Sequence, residues 1–169
     1  SNLEAEVWSW DGEAWRRVGS AEQGSWPNNR FQVAQSMAVM GGALYVGMWC
    51  REDTTEKHPC LYRYDGDGWT QVGDPPWDST GPEEGVYELA VHGDALYAGL
   101  GGEAGAGGVW RVDDNDAWWQ MAGDGVNGSW DNPSADYVTA LTDFKSCLVA
   151  STERVPTARG EFSTIWALE

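Results

Sequence analysis

"YDGDGWTQVG", Tyr64 to Gly73, decides the fold because it is not alone. "WDGEAWRRVG" (Trp10 to Gly19) stands near the start of the chain and "VDDNDAWWQMAG" (Val112 to Gly123) further on, each ending on glycine. In isolation, acidic and turn-forming residues crowded ahead of a tryptophan read as a metal loop. A motif that recurs at intervals of about fifty residues is first a structural unit and only then a candidate for chemistry.

The apolar stretches between the copies repeat in the same frame. They are "MAVMGGALYVGMW" from Met37, "LAVHGDALYAGLG" from Leu89 and "ALTDFKSCLVAST" from Ala140, with Leu44, Leu96 and Leu148 at even steps of 52 residues. Each is an alternating run, a tight turn and a second alternating run, the pattern of a β-hairpin. After a variable loop comes a third strand: "LYRY" at Leu61, "VWRV" at Val109 and "IWAL" at Ile165. The Asp-containing turn and a fourth strand such as "WTQVG" complete the unit, a four-stranded antiparallel meander. One meander cannot bury both its faces, so successive copies must stack.

Composition agrees with an all-β reading. Twelve tryptophans and 22 glycines stand in a chain of 169 residues, and amphipathic helical stretches are scarce. The length suits one domain, residues 1–169, divided into a partial unit over 1–32, whole units over 33–85 and 86–136, and a partial unit over 137–169.

Small and aliphatic residues in the first two strands of each unit, with aromatic residues in the later ones, suit a wedge-shaped blade. The organisation resembles kelch-type and Asp-box β-propellers in its period, its Trp-bearing outer strand and, at Gly41 and Gly42, its double glycine. The resemblance is architectural and spans nearly the whole chain. It implies a partial β-propeller of about three four-stranded antiparallel blades. The strand count is thirteen, whereas a closed propeller has at least about four blades. Either the chain is part of a longer protein, or identical chains complete the ring, a homodimer giving six blades. On that scheme one third-strand segment is left over.

Within the repeat, Asp11, Asp65 and Asp113 are expected to hold the turn, and Trp15, Trp69 and Trp119 to pack the outer strand on the neighbouring sheet. Calcium is the alternative, but "DGDG" and "DDND" lack the EF-hand spacing and its distal Glu. No metal and no cofactor are assigned. Cys50 and Cys60 flank a short stretch between adjacent strands, open to a disulfide or to two thiols, and Cys147 reads as core.

The net charge of −17, with ten Lys and Arg scattered along the chain, opposes nucleic acid and anionic lipid as partners. No apolar run reaches the roughly eighteen residues of a membrane helix, and the N-terminus lacks the regions of a signal peptide. The compartment stays open.

The loops between units repeat as well: "GSWPNN" at Gly24, "PPWDST" at Pro75 and "GSWDNP" at Gly128. A tryptophan face flanked by amides or carboxylates suits a sugar ring, whose C–H face stacks on indole while its hydroxyls take hydrogen bonds. The candidate ligand-binding residues are therefore Trp26, Asn28, Trp77, Asp78, Trp130, Asp131 and Asn132. The same recurrence would follow if each tryptophan plugged the gap between adjacent blades.

No catalytic residue is assigned. Carboxylate pairs such as Glu83 and Glu84 are common in a chain with 27 acids, His58 and His92 make no triad, and the arginines form no sialidase-like set. "GLGGEAGAGG", Gly99 to Gly108, lacks the Lys and Ser/Thr of a phosphate loop. The expected function is a non-catalytic binding protein that takes a neutral carbohydrate on the face carrying the between-blade loops. The alternative is a protein-interaction or structural scaffold, and third comes a glycan-active hydrolase.

Overall fold

The computed structural model describes residues 4–27, 30–50, 59–74, 82–102, 105–123, 125–130, 135–154 and 162–168. They form thirteen strands, all paired antiparallel, and no helix. An N-terminal hairpin, β1 (Glu6–Trp10) and β2 (Trp15–Ser20), is a sheet by itself. The first whole unit runs β3 (Phe31–Met40), β4 (Ala43–Cys50), β5 (Leu61–Tyr64) and β6 (Trp69–Gln71). The second runs β7 (Glu83–His92), β8 (Ala95–Gly102), β9 (Val109–Val112) and β10 (Trp118–Ala122), and the chain continues with β11 (Tyr137–Phe144), β12 (Cys147–Arg154) and β13 (Phe162–Leu168). The number of strands among the described residues is the thirteen expected from the sequence.

The units superimpose in register. Met37 pairs with Val46, Leu89 with Ala98 and Leu141 with Ala150; one strand further out, Val46 pairs with Tyr62, Ala98 with Trp110 and Ala150 with Trp166. Each first strand also carries a bulge at the same place, between Ala34 and Ser36, Val86 and Glu88, and Val138 and Ala140. The bulge adds a residue and twist to the inner strand. The β3–β4 turn needs glycine: Gly41 and Gly42 have φ of 58° and 81°, the left-handed pair of a two-residue hairpin. The equivalent turn between β11 and β12 forces Lys145 and Ser146 into that region, with φ of 51° and 68°.

Successive units are joined by single bridges, Trp49 to Gly85 and Tyr137 to Gly101, which link β3 to β13 into one eleven-stranded sheet. Among the described residues no sheet closes on itself. The architecture is thus all-β and antiparallel in two sheets.

The core is three joints. The first packs Val7, Val18 and Trp26 against Val46, Met48 and Tyr62; the second packs Tyr45 and Leu61 against Val86, Leu89 and Leu96; the third packs Val109 and Ala122 against Val138, Leu141 and Leu148. Close approach across the joints depends on glycine. A Cβ on Gly47 would lie 2.6 Å from Cγ1 of Val86, and one on Gly99 the same distance from Cγ1 of Val138. None of the three cysteines is in a disulfide. Burial pushes the Cys60 thiol up to about 12, and Arg30 Nη2 donates to its sulfur at 3.8 Å. Cys147, read as core, is only half-buried at the start of β12.

Candidate functional site

The Asp turns are joints in the backbone. Oδ1 of Asp11 accepts the N–H groups of Glu13 and Ala14 at 2.9 Å each, Oδ1 of Asp65 those of Asp67 and Gly68 at 3.0 Å each, and Oδ1 of Asp113 those of Asn115 and Ala117 at 2.8 and 3.0 Å. These bonds, the backbone N–H of Ala14, Gly68 or Ala117 foremost, hold all three carboxyls below their ordinary range. Among the described residues no group of three or more His, Cys, Asp or Glu is arranged to hold a metal ion.

The tryptophan after the second and the third turn ties its unit to the one before. Trp69 Nε1 donates to the Val18 carbonyl at 2.7 Å, and Trp118 Nε1 to the Val72 carbonyl at 3.3 Å. The packing residue is therefore Trp118 and not Trp119, which is exposed. The third Asp turn is one residue longer than the second, with Asp116 at φ 59°, and this shifts the tryptophan register by one. Trp15 corrects the expectation in another way. It pairs with Trp10 as Trp69 pairs with Tyr64, yet it is 64% exposed because the described chain has no unit before it.

Two loop tryptophans are also in the joints. Trp26 is 4% exposed, with its ring centroid 5.8 Å from Tyr62 and 5.4 Å from Trp69; Trp130 is 3% exposed, 5.8 Å from Trp166, and donates to the Gly107 carbonyl at 3.1 Å. Tyr62 and Trp166 occupy the same register position, so the two plugs are one device used twice. Burial leaves neither indole a free face on which a sugar could stack. The loop backbones are fixed by serine: Ser25 Oγ accepts from Ser20 N at 3.2 Å and Ser129 Oγ from Gly123 N at 2.9 Å. Asn28, Trp77, Asp78, Asp131 and Asn132 lie outside the described residues.

A cleft of about 740 Å³ opens at the turn end of the second joint, with Val39, Met40, Tyr45 and Val91 on its apolar side. Asp65, Asp94, Asp113, Asp114 and Asp116 rim it, and Arg63 lies 4.0 Å from Asp116. Sequence reading missed it, since its lining comes from four different turns of two units.

The larger omission is the outer face of β1 and β2. Trp8, Trp10 and Trp15 stand there 49%, 51% and 64% exposed, with the Trp10 and Trp15 rings 5.6 Å apart and Arg17 bonded to Glu6 at 2.7 Å. The signal was present in the repeat: Trp8 falls in the series Tyr62, Trp110, Trp166, whose other members face the preceding unit.

No family model matches this chain, and no curated protein matches it in sequence. Its function has to be argued from the site. Among the described residues no helix is long and apolar enough to cross a membrane.

Proposed function

We propose that the chain is a non-catalytic binding scaffold of propeller type, about three blades long, that works by docking protein against its open end faces. The observation that carries this is the β1–β2 face. Trp8, Trp10 and Trp15 are exposed there at positions whose counterparts are packed in the internal joints, Tyr62 and Trp69 in the first. A face made like an internal joint but left uncovered supports protein association, because contiguous exposed aromatics are the usual anchors of such interfaces.

A neutral carbohydrate is the second reading. With Trp26 and Trp130 buried, it moves to the Trp10–Trp15 pair, beside which Arg16 and Asp11, 3.2 Å apart, offer polar groups to hydroxyls. A hydrolase has less support: Asp65 and Asp113 in the cleft are held as anions by turn N–H groups, whereas a glycosidase acid needs a raised pKa.

Sedimentation of the full chain, with a neutral-glycan array in parallel, tests the choice. Association at micromolar concentration, lost in Trp15→Ala with the fold intact and with a blank array, is the expected result. A monomer that binds a neutral sugar through Trp10 and Trp15 would overturn it.

A further inference from the structure

Exposed positions at the two ends of the described strands correspond in register to the two sides of the internal joints. Register equivalence places each residue of the open ends against its internal counterparts. On the front face, Met37 belongs to the series completed by Leu89 and Leu141; the latter two are buried against the preceding unit, and Met37 is 50% exposed. Val39, in the position of Val91 and Asp143, is exposed beside it. On the back face, Ile165 belongs to the series Val7, Leu61, Val109; these three are buried against the following unit, and Ile165 is exposed. Phe144, in the position of Met40 and His92, is exposed there too.

The pairs across the joint match. His92 Nδ1 meets Asp143 Oδ2 at 2.5 Å across the third joint, and Met40 and Val91 share the second. The same two positions on the open ends are Phe144 and Val39, an apolar pair with neither member covered. Size is complementary as well. The close approach of Gly47 to Val86 and of Gly99 to Val138 has as its open counterpart Ser151 and Ala34, so a larger residue on one side stands against a smaller one on the other. An end designed for an unrelated surface has no reason to keep this exchange.

Strand count then fixes how the ends meet. The front end offers strands in third and fourth position, β1 and β2, with no second strand on the inner edge among the described residues; the back end offers first, second and third, β11, β12 and β13. Both β1 and β13 are third strands, and their sequences agree: "VWSWD" from Val7 and "IWALE" from Ile165. They cannot both lie beside β12. We propose that a second copy of this chain docks head to tail, its β1 replacing β13 on the β12 edge, so that β11, β12 and the incoming β1–β2 hairpin make one blade. In this blade Trp8 takes the place of Trp166 against Trp130, and Trp10 that of Leu168 opposite Leu148. The leftover third strand is a latch that covers the edge until the second copy arrives. Two such exchanges around a two-fold axis close a six-bladed ring.

The proposal rests on the association reading above, and the test separates them. Exchange puts Ser9 directly opposite Val149, where Ala167 sits now, close enough for a disulfide. Full-length Ser9→Cys and Val149→Cys are prepared separately, each with Cys147→Ser, then mixed and mildly oxidised. A cross-linked dimer in the mixture and in neither variant alone is expected. Sedimenting dimers that never cross-link would overturn strand exchange and leave association standing; a monomer throughout overturns both. Trp166→Ala adds a sign test: loosening the latch should tighten the dimer several-fold, while Trp8→Ala should weaken it. A Trp166→Ala variant that folds and associates less than wild type would contradict the latch.

Discussion

At Trp26 and Trp130 recurrence alone left two roles open, since a sugar platform and a blade plug both repeat with the unit. What separates them is burial, a tertiary property, and both side chains are enclosed. Trp26→Ala and Trp130→Ala should each cost about 3 to 5 kcal/mol, as large aromatic truncations in cores do; Trp15→Ala should stay within about 0.5 kcal/mol for the isolated chain. Urea denaturation reads all three, and equal small losses would show the loop indoles to be surface groups. The turn aspartates were legible because their chemistry is local: a carboxylate that accepts two N–H groups from the next residues needs no distant partner. Their folded pKa lies below the unfolded value of about 3.9. The stabilisation is therefore complete above that value and is lost as pH falls through the folded one. The melting temperature of the wild type should drop below about pH 4 by more than that of a triple Asp11→Asn, Asp65→Asn, Asp113→Asn variant, which keeps an acceptor oxygen without titrating. Calcium or a chelator should move neither curve.

The strands were legible because alternation and turn residues specify a meander locally, with few demands on the rest of the fold. Register is where local reading slipped. Trp118 follows Asp113 by five residues where Trp69 follows Asp65 by four, and a period counted in tens of residues does not choose between the adjacent Trp118 and Trp119. The β11–β12 turn is the strained copy of its series. Where β3–β4 has Gly41 and Gly42, it holds Lys145 and Ser146 at positive φ. A non-glycine residue pays roughly 1 kcal/mol or more there, Asn and Gly far less. Lys145→Asn with Ser146→Gly should raise stability by about 1 kcal/mol, read as a higher urea midpoint at unchanged slope. A lower midpoint would mean that the Lys145 side chain, whose Nζ lies 5.2 Å from the Phe144 ring, contributes more than the turn costs.

For the whole molecule the decisive quantity is the match between ends that never touch within one chain. The antiparallel meanders could be read from period and composition, but which residues face each other across a joint could not, because that needs the register. The Ala34 and Ser151 positions make the match measurable. In the internal joints valine faces glycine; in the proposed joint between copies alanine would face serine. Ala34→Val restores the larger residue on one side only, so in a dimer it meets the Ser151 side chain where Val86 and Val138 meet bare glycine. Overpacking of this kind costs about 1 to 3 kcal/mol, and the dimer should weaken by about tenfold or more, tenfold being about 1.4 kcal/mol. Adding Ser151→Gly to the same chain should return the affinity to near its starting value, since the pair then reproduces the internal joints. The two residues lie at opposite ends of one chain, so a monomer offers no contact through which the second change could repair the first. Sedimentation equilibrium on wild type, both single variants and the double variant completes the cycle. Additive effects would place the ends against different surfaces, and recovery in the double variant would place them against each other.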